Sequence, residues 1–115
     1  MDRGAFAEAD AATALLAAGY RIVERNFACK AGELDIVARE GATVVFVEVR
    51  LRRPGAFGDA ADSITAAKRA RLIAAAREYL ARLPRTPACR FDVVLLDSLD
   101  PSRVVWVRDA FGEEE

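Results

Sequence analysis

Apolar positions recur along this chain with two periods, and the switches between them lay out its elements. Phe6, Ala7, Ala11, Ala14, Leu15 and Ala18 fall near helical spacing, which predicts a helix over about 4–18 with Gly19 as its C-terminal cap. Tyr20 to Phe27 reads as a strand. Apolar runs on both sides of Arg39, Glu40, Gly41 and Ala42 read as a β-hairpin turning through those four residues. Pro54 to Gly58 reads as a loop. Ser63 is the expected N-cap of a second helix, with Asp59 and Asp62 placed favourably for its dipole. Ile64, Ala67, Ile73, Ala76, Leu80 and Leu83 mark the buried stripe of that helix, which ends at Pro84. Phe91 to Leu96 and Val104 to Val107 read as strands with a turn near Asp100, Pro101 and Ser102, and Glu113 to Glu115 reads as a frayed tail. The predicted order is α-β-β-β-α-β-β. It describes one α/β domain over 1–115, a mixed β-sheet flanked by helices, with its core at about 4–111 and an acidic tail at 112–115.

Composition narrows the chemistry. Apolar residues make up 53% of the 115, enough to bury a real core. No apolar run approaches the roughly 18–20 residues of a membrane span, and the N-terminus lacks a basic-then-apolar secretory pattern. Cys29 and Cys89 have no metal-like spacing, so a cytoplasmic protein with reduced thiols is expected. Histidine is absent, which excludes His-based triads and the commonest zinc sites. A metal site would therefore use oxygen ligands, which favours Mg²⁺ or Mn²⁺.

The hairpin strands carry the candidate chemistry. Glu33 and Asp35 lie in the first, Glu48 and Arg50 in the second, and carboxylates are costly in apolar strands unless paired or metal-bound. With a loop of two or four residues centred there, Ala38 faces Thr43, Asp35 faces Phe46 and Glu33 faces Glu48. Side chains alternate along a strand, so Glu33, Asp35, Glu48 and Arg50 would share one face. Asp35 and Glu48 would then be diagonal neighbours, roughly 7–8 Å apart at the backbone, a gap two carboxylates can close around a small cation. The plainer alternative is that these charges are solvated or paired with neighbours. An odd-length turn would put the two acids on opposite faces.

Charge is unevenly spread. Residues 1–49 carry a net −3, residues 50–90 a net +7 and residues 91–115 a net −5. Within the basic third, Arg50, Arg52 and Arg53 continue directly from the acidic hairpin, while Lys68, Arg69 and Arg71 cluster on the second helix. Both clusters are candidate phosphate contacts, with a solvated helix face as the alternative for the second.

One resemblance ties these features together. Gly19-Tyr20, Arg25 to Phe27, Gly32 to Ala38, Val45 to Val49 and Arg90 to Val94 are similar to the YraN-type bacterial family. Phe57-Gly58, Ser63-Ile64, Lys68, Tyr79-Leu80 and Ala110-Phe111 also fit its pattern, so the resemblance covers about residues 4–111. That family resembles Holliday-junction-resolvase-like endonucleases of the PD-(D/E)XK superfamily, which implies a restriction-endonuclease-like core. Carried over, Asp35 and Glu48 are metal-binding carboxylates, Glu8 is the helical glutamate beside them, and Mg²⁺ or Mn²⁺ is the cofactor. Ala7 stands where the family usually has glycine. A larger departure follows Glu48: the superfamily pattern has lysine two residues on, and this chain has Arg50, which keeps its charge but cannot give up its proton.

Nucleic-acid binding is the first expectation, with the basic Arg52, Arg53 and Lys68 meeting the substrate; if the chain is active, the resemblance implies phosphodiester hydrolysis, with Asp35, Glu48 and Arg50 in the catalytic set. The expected partner is nucleic acid, DNA before RNA, and a homodimer is suggested because resolvases that cut paired strands are often dimers. The alternatives are a nucleic-acid-binding module without turnover and a structural partner in a protein complex. Fold-level kinship does not by itself establish chemistry.

Overall fold

The computed structural model describes residues 3–52, 64–97 and 103–112, and within them the elements follow the predicted order. They are α1 (Arg3–Ala17), β1 (Arg21–Cys29), β2 (Gly32–Glu40), β3 (Thr43–Arg52), α2 (Ala66–Ala81), β4 (Cys89–Asp97) and β5 (Val104–Phe111). The five strands form one sheet in the order β1-β2-β3-β4-β5. Neighbours are antiparallel except β3 and β4, which run parallel. A parallel pair needs a crossover connection, and α2 lies within it.

Both helix boundaries have local causes. At the end of α1, the Tyr20 N–H donates to the Leu15 carbonyl at 3.0 Å and the Gly19 N–H to that of Leu16 at 3.0 Å. Gly19 has φ +90°, the left-handed conformation this closure requires, and Tyr20 packs in the same apolar cluster as Leu15. The N-cap of α2 falls on Thr65, not Ser63, which lies outside the described residues along with the Pro54–Gly58 loop, Asp59, Asp62, the turn at 100–102 and the acidic tail. The Thr65 hydroxyl accepts from the Lys68 N–H at 3.1 Å, which fixes where the helix begins. The buried stripe is centred on Leu72, Ala75, Ala76 and Tyr79, with Ile73, Leu80 and Leu83 at its margin and Ala67 exposed.

The sheet separates two apolar layers. On the α2 side lie Val37, Phe46, Phe91, Val93 and Leu95; on the α1 side lie Ile36, Ala38, Val45, Val47 and Val94. β3 is therefore buried on both faces, and its run Val44 to Val47 is almost wholly enclosed. Leu34 packs on the α2 side and Ile36 on the α1 side, so the alternation along β2 slips at Asp35. No helix among the described residues is long and apolar enough to cross a membrane.

Candidate active site

The hairpin turn sits one residue further along the chain than the sequence suggests. Arg39 and Glu40 belong to β2, the turn is Gly41 and Ala42 alone, and Gly41 takes φ +58° at the first turn position, where hairpins favour glycine. Ala38 consequently pairs with Val45, not Thr43. The register moves by two residues, which changes partners but preserves faces. The ladder ends at Ile36 and Val47, just short of Asp35 and Glu48. Asp35 and Glu48 line one small cavity, and the charge of Asp35 acts on the Glu48 carboxyl.

Asp35 is pinned in place. Its Oδ2 accepts the Val49 N–H at 2.9 Å, so a side chain takes over where the backbone ladder stops. Glu48 is only 6% exposed, and Lys68 Nζ approaches its Oε1 at 3.5 Å from the first turn of α2. The other oxygen, Oε2, is buried without a hydrogen-bond partner among the described residues. Burial, next the charge of Asp35 and then a hydrogen bond between the two carboxyl groups push the Glu48 carboxyl up to about 8, against the opposing pull of Lys68 and Arg50.

Glu8 reaches the same electrostatic field from α1. Its pKa is raised, first by burial and then by Asp35, with Glu33 adding to the effect and Asn26 and Arg25 opposing it. Among the described residues no three acidic or thiol groups gather as a ready metal cage. The core of the site is the Asp35 and Glu48 pair, and Glu8 is coupled to it through the charge of Asp35. That pair suits a hard divalent cation: both donors are oxygens, and the buried, unpartnered Oε2 of Glu48 is the atom a cation would satisfy.

Beside the pair opens a pocket of about 340 Å³ lined by Gly32, Glu33, Asp35, Lys68, Arg71 and Leu72. One wall is acidic, from β2, and the other basic, from α2. The helix cluster therefore divides: Lys68 and Arg71 face the pocket, while the Arg69 guanidinium lies 5.7 Å from the centre of the Phe111 ring. Arg50 lies two residues beyond Glu48 on β3, and its charge acts on the Glu48 carboxyl. The side chain of Arg52 and the whole of Arg53 lie outside the described part of the structure.

A second polar cluster escaped sequence reasoning. Asp92, on β4, is fully buried and accepts Arg90 Nε at 3.0 Å, Trp106 Nε1 at 2.9 Å and the Asp109 N–H at 3.0 Å. Arg90 continues outward to the Tyr20 hydroxyl and to Glu40 Oε1 at 2.9 Å. This network ties β4 to β5 and to the residues on which α1 ends. The only sequence signal was an aspartate inside an otherwise apolar strand, two residues from an arginine.

Known proteins match the chain nearly end to end. A UPF0102 protein of Nitrosococcus oceani is 48% identical over 116 aligned residues, covering 98% of this chain and 94% of the relative. One from Cupriavidus taiwanensis is 52% identical, covering 97% and 84%, and one from Nitrosomonas europaea is 46% identical, covering 97% and 95%. The model of the Uncharacterised protein family UPF0102 matches residues 7–96, and the YraN-type resemblance is thereby confirmed: the chain belongs to the UPF0102 family.

Proposed function

We propose that this protein binds nucleic acid and hydrolyses its phosphodiester bonds with a divalent metal at Asp35 and Glu48. The observation that carries this is the buried Glu48 carboxylate, one oxygen of which is unpartnered among the described residues, lining one cavity with the half-buried Asp35. Burial and the neighbouring charge of Asp35 make an ionised Glu48 costly, and a hard cation removes that cost. A bound Mg²⁺ or Mn²⁺ would supply Lewis acidity and lower the pKa of an attacking water.

The chain's own groups do the rest. Asp35 is held by the Val49 N–H so that it keeps one position. Lys68, fixed by its place in the capped first turn of α2, sets its ammonium between Glu48 and the pocket. There, with Arg71, it would meet a phosphate and offset charge developing on it. Arg50, Arg52 and Arg53 follow Glu48 closely in sequence and carry positive charge, which suits a polyanion.

The test is cleavage of labelled linear and branched DNA, and of RNA, with Mg²⁺ and with Mn²⁺. Cleavage that needs the metal and disappears in Asp35→Asn and Glu48→Gln supports hydrolysis. Arg50 favours a second reading, a binding module without turnover, because a guanidinium holds its proton. Metal-independent, salt-sensitive binding with no cleavage in either metal would establish that alternative.

A further inference from the structure

β5 is an edge strand. β4 takes one side of it, and among the described residues no strand takes the other. Edge strands offer unpaired N–H and C=O groups and are usually shielded or interrupted. Here Val104 and Val105 are 37% and 39% exposed, and as consecutive residues they point to opposite faces. The regular edge has a definite end: Asp109 takes φ 52° and its N–H turns inward to Asp92, where the β4–β5 register shifts. The regular stretch is therefore Val104 to Arg108, five residues centred on Trp106.

We infer that this edge pairs antiparallel with the same edge of a second copy, about a two-fold axis at Trp106. In that register Val104 meets Arg108 of the second copy, Val105 meets its Val107, and Trp106 meets its Trp106. Just outside, Arg103 meets Asp109 at both ends, so charges are complementary. Apolar rows also continue across the junction. Val105 lies beside Leu95 and Val107 beside Val93, both in the α2-side core, so each would extend that layer into the second copy. Arg108, whose guanidinium lies 4.1 Å from the centre of the Trp106 ring, would cover Val104 of the second copy with its aliphatic stem. A second copy is favoured over a foreign strand because the segment is self-complementary in both charge and apolar pattern.

The register has a geometric consequence. Directly paired residues of antiparallel strands face the same side, so both α2 layers would lie on one face of a ten-stranded sheet. Glu48 is level with Val93, and Val93 with Val107. The two Glu48 pockets would then be separated by five strand spacings, about 24 Å at about 4.8 Å each. The pairing stands independently of what those pockets bind.

Sedimentation velocity of the full chain, from about 10 to about 500 µM, tests this, because one short strand pair implies a modest affinity. A concentration-dependent dimer is expected, with the fluorescence of Trp106, the only tryptophan, changing in step. Arg103→Glu, which sets two carboxylates opposite each other at each end, should weaken the dimer at least tenfold. Adding Asp109→Asn, which the left-handed backbone tolerates, should restore part of the loss. Val105→Lys should abolish the dimer. Both Arg103 and Val105 are exposed, and unchanged circular dichroism confirms folding. A monomer throughout the range overturns the inference, as does a dimer of native strength in Arg103→Glu and Val105→Lys.

Discussion

Lys68 Nζ lies 3.5 Å from Glu48 Oε1, joining the first turn of α2 to the buried member of the carboxylate pair. It comes from a different element than Arg50. Lys68→Ala should therefore lower Mn²⁺-supported cleavage about 10²-fold or more, the usual scale for one electrostatic stabiliser of a transition state. Arg50→Lys should raise the rate, because an ammonium is compact and adjusts its pKa when desolvated. Single-turnover rates decide the matter. Strong native cleavage that survives Lys68→Ala and gains nothing from Arg50→Lys would contradict these roles.

Glu48 sets a pH dependence of stability. Its carboxyl is raised from 4.5 to about 8 in the fold, so between those values the folded state binds more protons than the unfolded one. Stability from this group is therefore full below about pH 4.5, falls by up to about 1.4 kcal/mol per pH unit as pH rises, and levels off above about 8. Denaturant titrations of native protein and Glu48→Gln, without metal, should show the variant gaining relative stability from pH 5 to 8. A difference that does not change with pH would disprove it.

Nucleic-acid affinity should fall steeply with salt, with a log–log slope of about −0.9 per phosphate contact on duplex DNA. Replacing Arg52 and Arg53 together with alanine should flatten that slope by about 2 if each meets one phosphate. An unchanged slope, or no binding at low salt, would remove these arginines from the interface.

Asp92→Ala should destabilise the fold by about 3 kcal/mol, because it strands Arg90, Trp106 Nε1 and the Asp109 N–H in a mostly buried place. Thermal or denaturant unfolding measures this. A loss under about 1 kcal/mol would mean the network relaxes around the vacancy.

The elements were legible where periodicity and a single residue agreed, as with α1 and Gly19. The shared face of Asp35 and Glu48 was legible too, since parity survives a register shift of two. The register itself was not: Arg39 and Glu40 look like turn residues by polarity, but they extend β2 at its solvated end. On α2, counting from Ile64 placed Ala67 in the stripe, whereas the helix starts after Thr65 and Leu72 and Tyr79 face the sheet. The contact between Lys68 and Glu48 joins elements through a crossover that sequence spacing does not specify, and the Asp92 network likewise depends on how β4 meets β5.

Calorimetric titration of Mn²⁺ into the metal-free protein tests the carboxylate pair most directly. Binding by the native chain that weakens at least tenfold in Asp35→Asn and in Glu48→Gln, while Arg103→Glu binds as the native protein does, is the expected result. No binding at millimolar Mn²⁺, or equal binding by native protein and both carboxylate variants, would show that Asp35 and Glu48 do not hold a metal together.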